Sequence, residues 1–202
     1  SELYPQGQNR SSFLPTIALI EANLTVLNVD GGEDYRLRTL KPAEIFFVPD
    51  NDENEQKLSD LFKNMSGGVA AEAGISVIHG REIPHKAKSE QVIWFDFRAL
   101  CFGPRSQADY LYLAEHYEIV FLSGLERLTP QEKAEARRLT WLIDVLYDYR
   151  VKLCATSKVG VDDIYVEGDF AQEFTRTASR MAEMQSEAYL KLPHLTLNAP
   201  KS

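Results

Sequence analysis

The chain has 202 residues, with 22 Lys and Arg against 30 Asp and Glu, a formal net charge of −8. Apolar residues at 44% and charged residues at 26% are the proportions of a folded globular protein and exclude a disordered or fibrous chain. The acidic balance speaks against binding nucleic acid by bulk charge, two cysteines fit a reducing compartment better than a disulfide scaffold, and no apolar run reaches the roughly 18 to 20 residues that span a bilayer.

A helix is expected over 11–22, with Phe13, Ile17 and Ile20 near one face and Pro15 in its first turn, where a missing N–H costs nothing. Residues 24–29 read as a β-branched strand ended by Asp30, Gly31 and Gly32, and 35–40 as a half-exposed strand. A further short strand is expected over 43–48. Asp50, Asp52 and Glu53 suit the positive end of a helix that carries Leu58, Leu61, Phe62 and Met65 and stops at Gly67 and Gly68. Strands follow over 75–79, 81–83 and 91–97, the first two joined at Gly80, with 84–90 a loop.

From Phe97 onward helix and strand alternate. Ser106 and Asp109 have the spacing of a capping box, opening a helix through Leu111, Leu113 and Tyr117. Residues 119–122 form a short buried strand ending at Ser123 and Gly124. Thr129, Pro130 and Glu132 are N-cap, N1 proline and capping-box acid of a helix whose Leu139, Leu142, Ile143 and Leu146 share one buried face. A strand over 151–155 and a last helix from about 170 to 189 complete the pattern. Strand, long helix and strand in about forty residues make a βαβ unit with a parallel crossover.

Leu3-Tyr4-x-x-Gly7 followed by Phe13 recurs as Ile164-Tyr165-x-x-Gly168 followed by Phe174, each copy leading into a helix. A strand precedes the second copy and nothing precedes the first. Together with Ser rather than Met at position 1, this predicts that Ser1 lies partway through an α/β domain.

No G-x-x-x-x-G-K-[ST] occurs in the sequence, so the usual phosphate cradle is missing. The 119–122 strand is placed like one that ends in metal-holding carboxylates in P-loop ATPases, yet it ends in Ser123 and Gly124. Thr156 and Ser157 after the next strand read either as a polar nucleotide sensor or, preferably, as a plain turn. Arg10 stands at a helix start, where the dipole disfavours a cation. It is either a solvated loop arginine or a group aimed at an external anion, such as a phosphate in a neighbour's site. Glu173, Arg176, Arg180 and Glu183 form one stripe, read as an ion-paired face in preference to an anion site. His79, His85, His116 and His194 have no metal-ligand spacing, no metal site is expected, and Cys101 and Cys154 read as core.

Several segments are similar to the ZapE family of AAA-type ATPases (AFG-one-like). They are Leu3-Tyr4-x-x-Gly7-x-x-Arg10, Asp34-Tyr35-Arg36-Leu37-Arg38, Phe95-Asp96-Phe97, Gly103-Pro104-Arg105-Ser106, Glu135-Ala136-Arg137-Arg138 and Glu183-Met184-Gln185-Ser186. The resemblance covers nearly the whole chain and matches the C-terminal portion of the family only. It implies an α/β fold, a partial P-loop-NTPase-like sheet with helices and a β-rich α+β insertion. The expected layout is the end of an ATPase core over 1–40, a β-rich segment with one helix over 41–96, a βαβ-containing domain over 97–190 and a tail over 191–202. By the resemblance Arg10 is a candidate arginine finger, although the family's Gly-Leu-Gln-Arg is Gly7-Gln8-Asn9-Arg10 here, and Arg180 is a candidate second nucleotide sensor. It further implies ATP and magnesium in the complete protein, none of either in this fragment alone, a tubulin-like division polymer as partner, self-association, and a cytoplasmic location at the division site. The rival reading is a non-catalytic interaction module with a degenerate ATPase-like half.

Overall fold

The computed structural model describes residues 40–195, which belong to one compact unit. Arg10, the first copy of the repeat, the helix expected over 11–22, the strand over 24–29 and all but the last residue of the strand over 35–40 lie outside the described residues. A sheet of five strands organises the rest, in the order β1 (Phe46–Phe47), β7 (Lys152–Ser157), β6 (Ile119–Leu125), β5 (Val92–Asp96) and β4 (Ala87–Lys88). The first four are parallel, and β4 runs antiparallel to β5 at the edge. The sheet takes strands from both the 41–96 and the 97–190 segments.

Parallel strands covered on both faces need apolar side chains on both, and alternation along each strand divides them between two cores. Ile93, Phe95, Val120, Leu122, Leu153 and Ala155 face one way. They pack against helices α3 (Gln107–His116), α4 (Lys133–Asp148) and α5 (Ala171–Met184) through Leu113, Leu139, Ile143 and Met181. Val92, Trp94, Ile119, Phe121 and Cys154 face the other way, against Leu58, Phe62 and Met65 of α1 (Asp52–Met65). The result is three layers, helix, sheet and helices.

Most helix starts have a local cause, although Phe170 before α5 provides no side-chain cap. The side chain of Asn51 accepts from the Asn54 N–H at the head of α1, where Asp52, Glu53 and Glu55 crowd the first turn. The capping box of Ser106 and Asp109 heads α3 as expected, and that of Thr129 and Glu132 heads a 3-10 turn, Pro130–Glu132, that leads into α4. After α1 the chain forms a separate hairpin, β2 (Gly74–Ile78) with β3 (Arg81–His85), whose Ile78 and Ile83 join the core on the face of the sheet away from α1. Its two turn residues, His79 and Gly80, have φ of 47° and 75°, which suits the tight turn that joins twisted strands. Arg81 fastens the hairpin to α3 through both oxygens of the buried Asp109, at 2.7 and 2.9 Å.

Several boundaries differ from the sequence reading. The 43–48 strand shrinks to β1 behind a 3-10 turn at Pro42–Glu44. The 84–90 loop contains the end of β3 and all of β4. Asp96 ends β5 because its carboxylate takes the Arg98 N–H and starts the short helix α2 (Phe97–Cys101). The last helix breaks after Met184, where Ser186 caps a separate turn, α6 (Glu187–Leu190), by accepting from the Tyr189 N–H.

A polar cluster at the carboxyl edge of the sheet

In an open parallel sheet the strand carboxyl ends are where ligands gather, and here three elements bring polar side chains to that edge. β6 delivers Ser123, β7 delivers Thr156, and the loop after β1 turns directly into α1, whose first turn carries Glu55. Ser123 Oγ lies 2.9 Å from Glu55 Oε1, and Thr156 Oγ1 lies 3.3 Å from Glu55 Oε2. Lys86, between β3 and β4, pairs with the same Oε1 and lies over the Trp94 ring, 4.8 Å from its centre.

The direction of each hydrogen bond is fixed by groups behind it. The Trp94 indole can only donate, and it gives its N–H to Ser123 Oγ at 2.7 Å. The Gly124 backbone gives its N–H to Thr156 Oγ1 at 3.0 Å. It is free to do so because the ladder between β6 and β7 shifts register between Leu122 and Leu125 and Gly124 has a φ of +75°, where glycine alone is unstrained. Each hydroxyl therefore accepts from behind and donates to Glu55. Ser123, Thr156 and Trp94 are buried, while the Glu55 side chain keeps 30% of its surface exposed. A cleft of about 320 Å³ opens beside it, lined among others by Gln56, Ser59 and Trp94.

At the rim, Glu126 binds Arg98 at 2.5 Å and Lys158 at 2.8 Å. These two cations hold its carboxyl below the usual carboxylate range despite partial burial. Asp50 and Asp96 also reach this edge, their carboxylates lying near Gly124. Among the described residues no group of three His, Cys, Asp or Glu is arranged to hold a metal ion.

Thr156 and Ser157 end β7 rather than forming a turn, and Thr156 belongs to the cluster. Ser123 and Gly124 lie within β6, which runs on to Leu125. Arg180 is placed elsewhere. Its guanidinium gives 2.6 Å to Asp144 and 3.7 Å to Asp148 of α4 and lies 4.7 Å from the Tyr147 ring centre. Since α4 leaves the carboxyl edge and returns to the start of β7, its last turns put Arg180 toward the opposite edge. The second copy of the repeat has a packing explanation: a Cβ on Gly168 would lie 2.4 Å from the Tyr165 hydroxyl, and the Tyr165 ring meets Phe174 edge-on at 5.7 Å. Glu55 and Lys86 were not singled out by the sequence, where one is a helix-start acid and the other a loop lysine. The signal that could have found them is the pair of hydroxyls at equivalent ends of adjacent strands.

A mainly parallel sheet between helix layers, with its polar groups at the strand carboxyl ends, is an α/β fold of the P-loop-NTPase-like kind. Residues 1–193 match the family model of the AFG1-like ATPases, and the chain belongs to that family. It is 37% identical over 194 residues to the cell division protein ZapE of Escherichia coli K12, covering 96% of this chain and 52% of that protein. An uncharacterised protein of Schizosaccharomyces pombe is 31% identical over 96% of this chain and 49% of its own length. Lactation elevated protein 1 homolog B of Danio rerio is 26% identical over 93% of this chain and 44% of its own length. The chain thus spans about half the length of the curated relatives it matches. No solved structure matches it.

Proposed function

We propose that this chain is the C-terminal part of a ZapE-like cell-division ATPase that couples ATP hydrolysis to remodelling of a protein partner. The observation that carries the reading is the family match over residues 1–193. In the complete protein, ATP and magnesium would be bound by a phosphate loop and a carboxylate strand that this sequence does not contain. The 202 residues alone are therefore inactive. Arg10 acts as the arginine finger on the ATP of a neighbouring subunit, which requires a homo-oligomer. Arg180 serves as a second nucleotide sensor only if nucleotide draws it from Asp144 and Asp148. The partner is the tubulin-like division polymer, met in the cytoplasm at the division site.

The test has two arms. Calorimetry on the 202-residue chain is expected to register no ATP binding, and micromolar affinity would overturn the fragment's inactivity. In the complete protein, Arg10→Ala is expected to lower turnover by about 10³ or more, whereas an unchanged rate removes the finger role. One observation favours the second reading, a non-catalytic module with a degenerate ATPase-like half: the carboxyl edge is closed by Glu55. A complete protein with no nucleotide-dependent turnover would establish it.

A further inference from the structure

Three donors converge on one point at the carboxyl edge: the Lys86 ammonium, the Ser123 hydroxyl and the Thr156 hydroxyl. A lysine and hydroxyls are donors with which proteins take up a phosphate, and here they come from three separate elements, the link between β3 and β4 and the ends of β6 and β7. The Trp94 indole N–H and the Gly124 backbone N–H, neither of which can accept, hold both hydroxyls in the donating direction. The hole is thus built for an anion before any anion arrives. What fills it comes from the chain itself. Asp52 and Glu53 join Glu55 in the first turn of α1, so an external polyanion meets three acids where a phosphate loop would offer glycines and a lysine.

We infer that the Glu55 carboxylate is a built-in ligand of this anion hole, standing where a phosphate would bind and latching α1 to the ends of β6 and β7 without any nucleotide. Its two oxygens divide the donors, Oε1 to Lys86 and Ser123 and Oε2 to Thr156. This contact holds the carboxyl edge of the described residues in one conformation, whatever role Arg10 plays.

Removing the carboxylate should expose the hole to an external oxyanion. The 202-residue chain, its Glu55→Ala variant and the Glu55→Ala/Lys86→Met double variant are melted against increasing pyrophosphate, with ionic strength matched by sodium chloride. The wild-type melting temperature is expected to stay constant. That of Glu55→Ala should rise with pyrophosphate, as binding to the folded state alone requires. Loss of the lysine should weaken the affinity about tenfold or more, since hydrogen bonds to charged groups are the strong ones. A Glu55→Ala variant that folds and shows no rise overturns the inference. So does a wild-type rise of equal size, or a double variant that responds as strongly as the single one. If Glu55→Ala does not fold unaided, refolding in formate or pyrophosphate replaces the melt. Recovery that depends on the added anion supports the built-in ligand, and failure to recover overturns it.

Discussion

Lys152 enters β7 with 1% of its surface exposed. Its ammonium donates to the carbonyls of Arg150, Tyr189 and Leu192 at 3.0, 3.1 and 2.7 Å, tying α6 and the chain beyond it to the start of the strand. Burial, helped by the nearby Arg150 charge, pulls its pKa from 10.5 down to about 8. Between those two values the unfolded chain binds more protons than the folded one at this site, so its contribution to stability grows as pH rises. The buried thiol of Cys101 acts in the opposite sense. Burial pushes it from 9.0 up to about 12, and above pH 9 only the unfolded chain loses that proton. Comparison with Lys152→Met isolates the lysine. In urea unfolding, wild type is expected to gain stability relative to the variant from pH 7.5 to pH 9.5, a window bracketing the shifted pKa. A difference that does not change with pH would show that Lys152 titrates normally.

Helices α4 and α5 are stitched together at two levels. Inside, Thr140 and Thr177 share a hydrogen bond of 2.9 Å; outside, Arg176 and Arg180 both reach Asp144 at 2.6 Å. The stripe on α5 was legible from its spacing as an ion-paired face, but its partners across on α4 were not, because one helix's period says nothing of its neighbour's rotation. An Asp144→Ala and Arg180→Ala double-mutant cycle in thermal unfolding is expected to give a coupling of about 1 kcal/mol, the upper range for exposed pairs because both side chains are mostly covered. A coupling near zero would leave Arg180 free for another role. Elsewhere, helices and strands with caps and long apolar faces were readable: α1, the hairpin, α3 and α4 all stand where the periodicity put them. What was missed is short or set by distant contacts. β4 has two residues, Ala87 and Lys88, and exists only because β5 offers it an edge. The break between α5 and α6 rests on a single cap at Ser186, inside an uninterrupted helical pattern.

Over the whole molecule the sheet is the member on which both cores depend. Phe62 of α1 is fully buried and meets Trp94 at 5.7 Å and Phe121 edge-on at 5.4 Å, so it joins α1 to two strands at once. Phe62→Ala is expected to cost about 3 to 5 kcal/mol in denaturant unfolding, and a loss below about 1 kcal/mol would mean that α1 does not seal that face. The α/β class and the buried strands were visible in the sequence because parallel strands covered on both sides are continuously apolar. The carboxyl-edge cluster was only half visible. Ser123 and Thr156 drew notice as strand ends, whereas Glu55 and Lys86 reach them only through tertiary placement, Glu55 and Thr156 standing 101 residues apart in sequence.

That separation orders events during synthesis. Among the described residues β1 gains a paired strand only when β7 has been made, since Phe46 pairs with Ala155. Until then α1, the hairpin and the early strands emerge from the ribosome without the strand that joins them. Such long-range closure slows folding, because the entropy of bringing the ends together is lost before the contacts that reward it form. Glu55 waits at the head of α1 for two hydroxyls made at different times, Ser123 first and Thr156 last. The clasp therefore closes only after about three quarters of the described residues, those up to Thr156, have been translated, and a chain stalled before Val151 would present its acidic helix start with nothing from β7 to hold it.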